Sequence, residues 1–209
     1  MKTTAIFLVS MMMSALTFGQ TNPQFQTADG QQSASIYKYV REHINCPREN
    51  SICFHPGTEV IAFVVTSTGE LEDFRVVNSV SKQMDEEMIR VLKETSGSWQ
   101  PGLLKGEPVK TEYEVAMAFI PSNFDPVQEA KKHLINGNSL IYKNPRRALK
   151  FINEAYRLLP CCESVLVARS VCKAELGDVL GAREDCDRII ALKNAYSPEF
   201  PSHLMGYGK

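Results

Sequence analysis

The chain has 209 residues, 44% of them hydrophobic, with 23 basic against 24 acidic side chains, which is enough for one large domain or two small ones with separate cores. The balanced charge and the lack of any basic run exclude an electrostatic footprint for nucleic acid or for an anionic membrane surface. There is no Gly-rich phosphate loop, nucleophile elbow or Walker-type lysine, and the four histidines have no Ser or Asp constellation beside them, so neither an enzyme nor a bound cofactor is expected.

The first residues, MKTTAIFLVSMMMSALTFGQ, place Lys2 before an apolar run over 5–16, with small residues at Thr17 and Gly19 where a signal peptidase reads. A cleavable signal peptide over 1–19 is expected, cut before Gln20. The run is well short of the ~20 residues that cross a bilayer, which disfavours an uncleaved anchor. With no other segment apolar enough to span, the expectation is a periplasmic protein without membrane insertion. Residues 20–33 are rich in Gln, Thr, Asn and Ser around a lone Phe25 and read as a flexible lead.

From Ile36 the apolar positions Ile36, Tyr37, Val40 and Ile44 recur at helical spacing until Pro47, predicting a helix over 34–44. EVIAFVVT at 59–66, the turn TSTGE with Gly69, and LEDFRVVNSV at 71–80 predict a hairpin. MDEEMIRVLKE then predicts a second helix with Asp85 as N-cap, Met84 and Ile89 stapling across it, and a stripe of Met84, Met88, Val91 and Leu92. After a Gly/Pro-rich loop over 99–108, TEYEVAMAFI places Tyr113, Val115, Met117 and Phe119 on a dry face and Glu112, Glu114, Ala116 and Ala118 on the other. Residues 34–121 thus form an α+β domain, with helices on one side of a three-stranded antiparallel sheet.

Pro121, Asn123 and Pro126 mark a boundary, beyond which every pattern is helical. ALKFINEAYRLLP and AREDCDRIIALKN begin at Ala148 and Ala182, 34 residues apart, with helical stretches at 128–142 and 164–175 before them. Residues 127–195 therefore read as two helix hairpins, followed by a tail over 196–209. Two repeats are fewer than such arrays usually need, so the pair is expected to dock on the α+β domain, on itself or on a partner. Lys131, Lys132, Arg146 and Lys150 are polar candidates for a helical groove.

The six cysteines are an even number in a compartment where disulfides persist. Cys46 and Cys53 either bridge a short loop or, with His43 and His55, supply a tetrahedral metal set. The short Cys-x-His spacing argues against a structural zinc site. The pairing of Cys161, Cys162, Cys172 and Cys186 is not fixed by sequence.

Several of these features together, namely the helix ending at Pro47, VIAFVVTSTGELEDFRVVNSV, MDEEMIRVLKE, the WQPG at 99–102, Gly106 to Val109, and the closing alternating strand, resemble the TonB C-terminal domain family over residues 36–120. The loop at 48–57 departs from the family's short glycine turn. The 34-residue offset, with LGD at 176–178, resembles tetratricopeptide repeats. The first resemblance implies a domain that pairs an extended peptide of an envelope or outer-membrane protein, such as a TonB-dependent receptor, with its last strand. The edge over 110–118 is then the partner-binding element, through Lys110, Glu112, Tyr113, Glu114, Val115 and Ala116, and a second copy of the chain is a further candidate partner. A force-transmitting transducer is not expected, because no uncleaved membrane helix or long Pro-rich spacer accompanies the domain.

Overall fold

The structure is a computed structural model that describes residues 20–26, 35–45 and 56–195. Residues 1–19, where a signal peptide is expected, Cys46, Cys53, His55 and the tail 196–209 lie outside the described residues. In chain order come strands β1 (Gln20–Thr21) and β2 (Gln24–Phe25), helix α1 (Ile36–His43), the hairpin β3 (Gly57–Val65) and β4 (Leu71–Asn78), and helix α2 (Lys82–Lys93). Three short strands, β5 (Trp99–Gln100), β6 (Gly102–Leu104) and β7 (Glu107–Val109), precede the long strand β8 (Thr111–Phe119). Helices α3 (Pro126–Asn138), α4 (Pro145–Leu158), α5 (Glu163–Glu175) and α6 (Val179–Ala195) follow. The architecture is the expected α+β domain followed by an all-α half.

The main sheet has the order β4-β3-β8, antiparallel throughout. β3 takes the centre because its apolar residues lie on both faces, so it is stable only where both are covered. Ile61, Phe63 and Val65 join Val115, Met117 and Phe119 against Ile36 and Val40 of α1 and Met84, Met88, Val91 and Leu92 of α2. Each of these large side chains contributes roughly 1.5–3 kcal/mol on burial. On the opposite face Ala62 is also buried, in register between Arg75 and Glu114. α2 holds the end of α1 through Glu87, which accepts the Asn45 N–H at 2.8 Å.

Three local expectations change. The N-cap of α2 is Ser81, whose side chain accepts the Met84 N–H at 3.2 Å, and not Asp85. The helix starts earlier, so Met84 lies inside it with its side chain buried, while Asp85 sits in the first turn and accepts from the Ser79 hydroxyl at 2.7 Å. The stretch 99–108 is not plain loop. Lys105 and Gly106 adopt φ of 55° and 88°, the paired left-handed turn that matches strand twist, and they close the β6–β7 hairpin. Finally, residues 20–26, read as part of a flexible lead, pair with this region, β1 with β6 and β2 with β5.

The helical half stacks two hairpins, α3 with α4 and α5 with α6, through α4 against α5. Asp125 accepts from Val127 and Gln128 N–H, Asn144 accepts from Arg147 N–H, and Pro126 and Pro145 occupy the first helical turn. Gly137 lets α3 approach α4, since a Cβ there would stand 2.5 Å from Ile152 Cγ1. This half docks on the sheet. The Thr58 hydroxyl donates to Leu158 O at 2.8 Å, the Asn78 amide donates to Thr58 O and Arg157 O at 2.6 and 3.1 Å, and the Arg157 guanidinium donates to Pro56 O.

Candidate peptide-binding edge

β8 is built by the alternation TEYEVAMAF, whose odd-numbered members turn into the core and whose even-numbered members turn out. It pairs with β3 along one side, and among the described residues no strand pairs with its other side. An unpaired margin of this kind presents alternate N–H and C=O groups.

The residues expected to bind a partner fall into three environments. Tyr113 and Val115 belong to the core face: Val115 is fully buried, and Tyr113 meets Trp99 edge-on with ring centroids 5.2 Å apart. Burial raises the Tyr113 pKa. Lys110 and Glu112 lie on the open side but are already paired across the sheet, Lys110 with Glu72 and Glu112 with Arg75 at 2.7 Å. Their charge is therefore largely balanced within the domain. Glu114 is held by Arg188 of α6, at 2.8 and 3.2 Å.

Ala116 marks where the margin becomes crowded. The Tyr37 hydroxyl of α1 is buried beside the Ala116 backbone, close to Tyr113, Glu114 and Cys161, and burial pushes its pKa up. The Thr66 N–H donates to Glu70 O at 2.8 Å in the β3–β4 turn, so Val64, two residues back, turns its backbone groups to β4, and Val65 turns its own to its β8 partner Thr111. Backbone groups two residues apart face the same side of a strand. Glu114 and Glu112 therefore direct their N–H and C=O outward with Ala116, whereas Val115 directs its own toward β3. The stretch from Lys110 to Tyr113 is the open part of the edge, and Arg188 closes over it at Glu114.

Sequence reasoning missed Arg188 and Tyr37, which border this edge. Tyr37 sits on the apolar stripe of α1 and carried no polar signal, and Arg188 is one basic residue among many on helices. The four basic candidates Lys131, Lys132, Arg146 and Lys150 do not line the helical groove. That groove, of about 550 Å³, is bordered by Ile141, Tyr142, Ser164, Val167 and Val171. Of the candidate metal set only His43 is described; it stacks on Tyr39 with centroids 4.0 Å apart. No His/Cys/Asp/Glu cluster suited to a metal occurs among the described residues, and no helix among them is long and apolar enough to cross a membrane.

Residues 55–121 match the family model of the Gram-negative bacterial TonB protein C-terminal. The match takes in β3 to β8, about a third of the chain, and ends before the helical half. That family is a non-enzymatic protein-interaction domain of the periplasm. A solution NMR structure of the Helicobacter pylori TonB C-terminal domain is similar to 44% of this chain and 100% of that one, at 15% identity and a TM-score of 0.32. No curated protein matches the chain.

Proposed function

We propose that the chain is a periplasmic adaptor whose TonB-like domain takes an extended segment of an envelope or outer-membrane protein by strand addition along β8. One observation supports this reading: β8 is a nine-residue strand that, among the described residues, is paired on one side only, in the domain that matches the TonB C-terminal family. Main-chain bonds supply the affinity, and the open stretch from Lys110 to Tyr113 supplies the register. The adaptor does not transmit force. The apolar run at 5–16 reads as a cleaved signal, and no long Pro-rich stretch separates it from the folded domain.

Proline in place of Glu112 removes an outward N–H without touching the β3–β8 ladder. In pull-downs from an envelope fraction, a partner captured by the native chain should be retained by Glu112→Gln and lost by Glu112→Pro. Equal capture by a folded Glu112→Pro protein would overturn the reading.

A second reading has its own support in the exposed apolar groove, where Tyr142 is 78% and Val167 44% exposed. In it the tetratricopeptide-like helices are the scaffold that grips the partner. Loss of capture in a Tyr142→Ser, Val167→Ser double variant, with Glu112→Pro silent, would favour that alternative.

A further inference from the structure

Residues 20–26 are held the way a bound peptide is held. Gln20 and Thr21 pair with Leu104 and Leu103, and Gln24 and Phe25 pair with Gln100 and Trp99. The Gln26 N–H donates to Ser98 O at 2.9 Å, and the Thr21 hydroxyl accepts from the Leu103 N–H at 3.1 Å. Phe25 is 8% exposed, with its ring centroid 5.5 Å from those of both Trp99 and Tyr39. Trp99 is itself fixed, its indole N–H donating to the Thr95 hydroxyl at 3.0 Å and its ring meeting Phe63 edge-on. Gly102 admits the segment because it has no side chain: a Cβ there would stand 2.8 Å from Thr21 O and 2.5 Å from Thr111 Oγ1.

The receiving groups therefore belong to the folded domain and are preorganised by its own core. The segment contributes backbone, one hydroxyl, the buried Pro23 and one ring. This is the division of labour seen when a sheet margin takes an extended ligand, with main-chain bonds for affinity and a side-chain pocket for selectivity.

We infer that the β5–β6 margin and its Trp99/Tyr39 pocket form a second peptide site, separate from β8, that accepts an extended segment bearing Phe four residues after Thr and that residues 20–26 fill in cis. A ligand tethered by a short linker competes at an effective concentration in the millimolar range. The site is thus self-blocked, and an extended segment of another protein enters when the chain's own strand is displaced or removed.

The probe is a labelled synthetic peptide, QTNPQFQT, the chain's residues 20–27. It is titrated against the chain beginning at Gln20 and against a version lacking residues 20–26. Binding is read by anisotropy and by the emission of Trp99, the one tryptophan of the chain. The shortened protein should bind saturably, with the full chain and the Phe→Ala peptide each weaker by about tenfold or more, a difference of about 1.4 kcal/mol. Absence of saturable binding to a shortened protein with native circular dichroism would overturn the inference, as would equal binding of the Phe→Ala peptide. Should the shortened protein not fold, Phe25→Ala in the full chain empties the pocket while keeping the chain intact. That variant should take up the peptide where the native chain does not, and failure to do so overturns the inference equally. Glu112→Pro should leave this binding unchanged, which separates the site from the β8 edge.

Discussion

Arg188 of α6 grips Glu114 of β8 at 2.8 and 3.2 Å, the arginine side chain 14% and the glutamate 35% exposed. The pair ties the helical half to the middle of the strand proposed to take a partner. The two ends are unequal. Arg188 is the more deeply buried, and its Nε finds no hydrogen-bond partner among the described residues, so the guanidinium depends on this carboxylate. Glu114 can rehydrate if left alone.

Removing the carboxylate should therefore cost more than removing the cation. Glu114→Ala strands a buried charge and is expected to destabilise by roughly 2–3 kcal/mol, against about 1 kcal/mol for Arg188→Leu. A double-mutant cycle in urea measures both arms and their coupling. Equal single costs would show that the guanidinium finds water or another acceptor.

Glu59 is a second buried acid, at the seam where β3 meets the helical half. It is fully buried. Its Oε2 accepts the Val80 N–H at 2.9 Å, and its Oε1 has no partner among the described residues. Burial first, and then the neighbouring Asp85, push its pKa up to about 8 from 4.5, against the opposing Val80 bond. The folded protein thus holds a proton that the unfolded chain releases above about pH 4.5. Between about pH 4.5 and 8 the unfolded state binds fewer protons, so stability is full below that window and declines as pH rises through it. The loss is on the order of a few kcal/mol. Glu59→Gln keeps a neutral group of the same shape, and its urea midpoint should change little between about pH 5 and pH 8 while the native midpoint falls. Parallel pH profiles would assign the dependence to another group.

The elements of the α+β domain were legible because their signal is local. The stripe Met84, Met88, Val91 and Leu92 and the alternation of β8 both record which face is dry, and both faces are as read. What stayed hidden is non-local. Phe25 looked isolated because composition weighs a segment's own apolar content, whereas its pocket comes from Tyr39 in the next helix and from Trp99, far along the chain. Its being the lone aromatic of a polar stretch was the one available hint. Likewise, alternation could place Glu114 on the open face of β8 but could not show that Arg188, 74 residues later, closes over it. The start of α2 was misplaced because Ser81 and Asp85 are both good caps, and only the extended backbone at Ser81 decides between them.

The helical half has its own buried charge cluster, which gives a test of how far the two halves are coupled. Asp185 is 1% exposed. It accepts from Arg169 Nε at 3.1 and 2.9 Å and pairs with Lys173 at 3.0 Å. The Arg169 guanidinium also lies 3.3 Å above the Tyr156 ring, so α4, α5 and α6 meet around one carboxylate. Asp185→Asn keeps the shape but leaves two cations, 13% and 16% exposed, without a counter-charge, at a cost of about 3–5 kcal/mol. The α+β domain has a separate core, so the loss should fall on the helices first. Calorimetry of the variant should show a lowered helical transition, while the emission of Trp99, inside the α+β core, changes only at the higher one. A common shift of both signals would mean that the docking contacts at Thr58, Asn78 and Glu114 make the two halves unfold as one. In that case a partner bound at either half would stabilise the other.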